Sequence, residues 1–99
     1  MHYLLSYEYI EDYVPKRAKV RAQHLKLIQE AYDRGEIVIA GAFGDPYRGG
    51  VLVFRGDSPK APEAFAKADP YVLTGVVSKW EVKPWLTVIG DGAKMPEVK

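Results

Sequence analysis

His24 is the residue in this chain best suited to proton transfer. The only other histidine is His2, and there is no cysteine. Arg17 and Arg21 precede His24 by seven and three positions. At about 100° per residue these three side chains fall within roughly 60° of one another on a helix. An imidazole held by a carboxylate is a minimal acid–base device: the carboxylate fixes the tautomer, and the other ring nitrogen takes or gives the proton. Two carboxylates stand in the same context, in Asp45-Pro46-Tyr47 and Asp69-Pro70-Tyr71. Each also has a plainer reading. Asp followed by Pro suits a helix start or a turn, and His24 taken alone suits a satisfied histidine at the core boundary. The residues themselves leave the choice of carboxylate open. Arg17 and Arg21 are candidates to bind a carboxylate, phenolate or similar anion; the alternative is a solvated face or pairing with Glu8 or Glu11. Tyr3, Tyr7 and Trp80 are candidates to wall an apolar pocket, or simply to fill the core.

The elements that must position these groups follow from periodicity. Residues 2–9 alternate, with Tyr3, Leu5, Tyr7 and Tyr9 on one side, which predicts a strand. Pro15 holds Val14 out of the helical region, so a helix is expected from about Lys16 to Arg34. Its apolar stripe would be Ala18, Ala22, Leu25, Ile28 and Tyr32, with His24 on the flank. Gly35 ends it. Residues 36–43 and 51–54 read as two strands apolar on both faces, joined through a Gly- and Pro-rich turn at 44–50. A short helix over 60–68, capped by Asp57 or Ser58, would bury Ala61, Ala64, Phe65 and Ala68. A last strand is predicted over 76–85, with Val76, Ser78, Trp80 and Val82 on one face. Residues 87–99 form a tail.

The order strand–helix–strand–strand–helix–strand is the ferredoxin-like α+β plan, with two helices on one face of a four-stranded antiparallel sheet. Two helices leave the second face bare. With Ile, Val and Phe on it, the expected remedy is a homodimer formed by packing sheet on sheet.

Composition excludes several function classes. A chain of 99 residues supports one core. A formal net charge of +1 gives no electrostatic case for nucleic acid or an anionic membrane. No metal is expected, since no histidine–carboxylate cluster has ligand spacing. The glycines of 41–50 lack the phosphate-loop and dinucleotide patterns, so no cofactor is expected either. The start has neither a signal peptide nor a membrane span, which leads us to expect a cytoplasmic protein.

The ordered set Lys16-Arg17, Val20-Arg21, His24-Leu25, Gly35, Ala40-Gly41, Ala68-Asp69-Pro70-Tyr71, Gly75-Val76 and Val82-Lys83-Pro84-Trp85 resembles the YciI-like (YCII-related) family of the dimeric α+β-barrel superfamily. The resemblance covers residues 1–86. It implies a ferredoxin-like subunit that dimerises through its sheet, with His24 and Asp69 as a catalytic pair. Arg17, Arg21, Tyr71, Gly49 and Gly50 are then the candidate substrate contacts. Relatives often carry Gly-Ser where this chain has Gly49-Gly50, so that hydroxyl is absent here, although a glycine backbone can approach a ligand closely. The function implied is acid–base chemistry on a small organic substrate, lyase- or hydrolase-like. A non-catalytic binding module using the same cleft is the alternative, and an assembly domain that docks through its tail is a third reading.

Overall fold

The computed structural model describes residues 2–93. Strand β1 (His2–Tyr9) leads to helices α1 (Tyr13–Arg17) and α2 (Arg21–Asp33). Strands β2 (Ile37–Phe43) and β3 (Gly49–Arg55) follow, then helices α3 (Lys60–Ala68) and α4 (Pro70–Leu73), and finally strand β4 (Val77–Trp85). The sheet order is β2-β3-β1-β4, antiparallel throughout. This is the ferredoxin-like α+β arrangement, with the first expected helix divided in two, the second present over its expected residues, and the short α4 added after it. No helix among the described residues is long and apolar enough to cross a membrane.

The first helical segment differs most from expectation. It starts at Tyr13, with Val14 helical and Pro15 in the first turn, where a proline lacks only an N–H that would have no partner anyway. The chain then leaves helical geometry at Val20 (φ −120°, ψ 0°), and α2 begins a new helix. That break resets the buried face. Val20, His24, Leu27 and Ala31 turn inward at spacings of four, three and four, while Ala18, Ala22, Leu25 and Tyr32 of the expected stripe are exposed. His24 is therefore buried, not at the boundary. The helix ends as predicted. Gly35 takes φ +82°, its N–H donates to the Tyr32 carbonyl, and the Glu36 N–H reaches back to Ala31, a Schellman stop.

Helix α3 buries Pro62, Phe65 and Ala66, with Ala61 half-buried; Ala64 and Ala68 are exposed. Its N-cap is Pro59, although the Ser58 hydroxyl accepts from the Lys60 N–H at 3.4 Å. In β4 the register against β1 shifts between Glu8 and Tyr9, leaving Ser78 as an extra residue. Val76, Trp80 and Val82 pack toward the core as expected, and the bulge brings Val77 inward in place of Ser78. The core lies between the helices and one face of the sheet, centred on Leu5, Tyr7, Leu52, Phe54 and Phe65.

The opposite face carries Leu4, Val51 and Val53, with Ile39 66% and Phe43 52% exposed. The second face of β2 is thus open in the single chain, because one layer of helices covers only one side of a sheet. At one end of this face the segment after β4 folds back over His2. Its Nδ1 hydrogen-bonds the Thr87 hydroxyl at 2.7 Å, and Gly92 lies against its ring. His2 is only 2% exposed, so it is not a free surface histidine.

Candidate active site

Asp69 ends α3 and caps α4. Its backbone is extended (φ −71°, ψ 123°), Pro70 opens the next helix, and Oδ1 accepts the Tyr71 N–H at 3.0 Å. This is the cap that the Asp-Pro order predicts. The same carboxylate does more. The His24 ring approaches both oxygens through Nδ1, at 2.8 and 2.9 Å, and the Tyr7 hydroxyl donates to Oδ2 at 2.7 Å. The capping and histidine-binding readings of Asp69 therefore hold together. The side chain is fully buried, and a buried carboxylate is tolerable only when several donors compensate it. Tyr7, His24 and the Tyr71 amide supply them from β1, α2 and α4.

Because the carboxylate only accepts, His24 Nδ1 carries the proton of this hydrogen bond, and Nε2 is left as the free ring nitrogen. The Tyr71 ring lies flat on the imidazole, with centroids 3.6 Å apart and planes 5° from parallel, which fixes its tilt. Burial first, and then the Asp69 charge, raise the Tyr7 hydroxyl's pKa far above that of an ordinary phenol, so it remains a donor.

A cleft of about 280 Å³ opens beside this cluster, lined by His24, Arg17, Arg21, Tyr71, Tyr9 and Gly50 among others. Arg17 and Arg21 stand on different helices, yet both face the cleft. Arg17 also sits 5.1 Å above the Tyr13 ring, a cation–π contact that steadies it. Gly49 does not line the cleft; it pairs with Phe43 and faces the open side of the sheet. Tyr3 and Trp80 also lie off the cleft, packed against the core. Asp45 sits in the exposed turn, and the carboxylate that meets His24 is that of Asp69. Tyr9 was missed as a site residue. Its signal was available, because the period of two puts it on the same face as Leu5 and Tyr7. Among the described residues no group of three or more His, Asp or Glu side chains is placed to hold a metal ion.

Residues 1–86 match the YCII-related domain. The chain belongs to the YCII-related family. Protein YciI of Escherichia coli O6:H1 is 33% identical over 97 residues, spanning 89% of this chain and 99% of that protein. Protein YciI of Shigella flexneri is similar to the same extent, at 33% over 97 residues. In three dimensions this YCII-related chain is similar to 5-chloro-2-hydroxyhydroquinone dehydrochlorinase from Burkholderia phenoliruptrix AC1100, solved with 2,5-dihydroxybenzoquinone. The TM-score is 0.73 at 19% identity, covering 95% of this chain and 100% of that chain. At that identity the likeness speaks for the fold. Within the YCII-related fold, the carboxylate that could not be chosen from residues alone lies against His24 because α4, which Asp69 caps, packs on α2.

Proposed function

We propose that this protein is a small homodimeric enzyme that uses His24 and Asp69 for acid–base chemistry on a small organic substrate, with lyase- or hydrolase-like loss of a leaving group. The observation that carries the reading is the ordered imidazole: Nδ1 engaged by a buried carboxylate, and the ring held at the wall of a cleft lined by two arginines. Nε2 removes a proton from the substrate, and Asp69 stabilises the imidazolium that forms. The substrate's electron pair expels the leaving group as an anion, and Arg17 and Arg21 offset the negative charge of substrate and leaving group. The imidazolium then returns its proton to solvent or to the departing group.

The likeness to a dehydrochlorinase favours elimination of HX as the first reaction to try. The homodimer is supported by the apolar open face, where Ile39 and Phe43 stand exposed. Chloride release from chlorinated hydroxyhydroquinones, measured for wild type and His24→Ala, tests the reading. Release by wild type and its loss in a folded His24→Ala protein are expected; full turnover by the variant would overturn the assignment.

A further inference from the structure

Tyr7 and Tyr9 lie two positions apart on one face of β1, and both reach the cleft, but their hydroxyls are differently placed. The Tyr7 hydroxyl is bound to Asp69. The Tyr9 hydroxyl has no hydrogen-bond partner among the described residues. Its position is nevertheless well defined. The ring packs 5.5 Å from Tyr13 and meets Tyr71 edge-on at 6.3 Å. The hydroxyl lies over Gly50, where a Cβ would stand 2.8 Å from the phenol oxygen and 3.1 Å from the Gly41 carbonyl oxygen. Only a glycine leaves room for it at that level of the sheet. Burial raises the Tyr9 pKa, with Arg17 and Arg21 opposing, and the raised value keeps the phenol a hydrogen-bond donor near neutral pH.

Two guanidinium groups and one unengaged phenol thus border the same cleft as His24. The cations select an anion. The small volume, about 280 Å³, suits a single ring. The aromatic walls of Tyr9 and Tyr71 suit a flat one. We infer that Tyr9 is a substrate-binding residue, donating to an oxygen of the ligand, and that the ligand class is a single-ring oxyanion such as a phenolate or hydroxyquinone. This rests on the acid–base reading for what happens after binding, but the binding claim is separable from it. Arg17 and Arg21 meet the ring's negative oxygen, Tyr9 a second oxygen, and His24 the reacting proton.

The test uses 2,5-dihydroxybenzoquinone as the ring anion and succinate as an aliphatic anion, titrated into the intact protein by calorimetry and by the visible absorption of the bound quinone. Wild type should bind the ring anion saturably, shift its absorption band, and prefer it to succinate. Tyr9→Phe keeps the ring and its packing, so its melting temperature should stay near that of wild type. Its affinity for the ring anion should fall about 10- to 100-fold, the worth of a hydrogen bond to a charged group, and the band shift should disappear. Equal affinity in wild type and Tyr9→Phe would overturn the role of Tyr9. Failure of wild type to bind the ring anion, or equal binding of succinate, would overturn the ligand class. If the Tyr9-dependent binding is found but no chloride is released from chlorinated hydroxyhydroquinones, elimination from such rings fails and this inference stands.

Discussion

The Tyr7 hydroxyl donates to Asp69 Oδ2 at 2.7 Å, joining the first strand to a carboxylate 62 positions later. This bond helps offset the cost of burying the Asp69 charge and holds one oxygen in place while the other receives the Tyr71 amide. Tyr7→Phe removes the donor and leaves the ring. The expected loss is about 1.5–3 kcal/mol of stability, the range for a hydrogen bond to a charged group, measured by urea unfolding. A change within error would mean that a water replaces the hydroxyl.

Asp69→Asn separates the capping role from the histidine role. Asn is as good an N-cap as Asp, so α4 should persist. The amide can present its N–H₂ to His24 Nδ1, which would move the ring proton to Nε2. Nitrogen-15 NMR of the imidazole should show that tautomer change, and any activity relying on Nε2 as a base should fall by up to about 10⁴-fold, as it does when a triad aspartate is amidated. Asp69→Ala should additionally cost about 0.5–2 kcal/mol through the lost cap.

His2 sets a pH dependence of its own. Burial first, with nearby positive charge including Arg55, lowers its pKa from the usual 6.5. Its buried Nε2 has no hydrogen-bond partner among the described residues. A histidine with a depressed folded pKa binds its proton more readily when unfolded, so stability rises with pH. The contribution is whole above about 6.5 and is lost as the pH falls through that value toward the folded pKa. NMR titration should find His2 titrating below 6.5, and urea unfolding should show stability declining over the same acid range. A His2 that titrates at or above 6.5 would overturn this.

Ile39 and Phe43 project from the open face without contributing to the core. Ile39→Asp and Phe43→Asp should therefore leave the fold intact, with circular dichroism unchanged. In sedimentation velocity they should convert the proposed dimer to monomer. A dimer that survives both changes would place the interface elsewhere.

Much of the molecule was legible in the chain because its signals are local. Alternation from Tyr3 to Tyr9 marked β1. Gly35 marked the end of α2 because a stop with positive φ favours glycine. Asp69-Pro70 marked a helix start, and the order of elements marked the ferredoxin-like sheet. The buried stripe of α2 was not legible. Ala18-Ala22-Leu25 and Val20-His24-Leu27 both have helical spacing, and only the break at Val20 selects the second. The extra residue Ser78 in β4 was hidden for a similar reason, since a bulge is defined by the partner strand and not by its own residues.

For the site, the sequence by itself determined that His24 is the sole histidine of the helical region, that two Asp-Pro-Tyr copies compete for it, and that arginines share its helical arc. Which copy supplies the carboxylate, and which tyrosine is bound and which has no partner among the described residues, were decided by the tertiary structure alone. The physical reason is that these are properties of approach between distant segments. Asp69 meets His24 across 45 positions and Tyr7 across 62. Tyr9 keeps an open hydroxyl because Gly50, on the neighbouring strand, has no side chain to occupy that space. Helix and strand periods say which way a side chain points along its own element; they carry no information about what stands opposite.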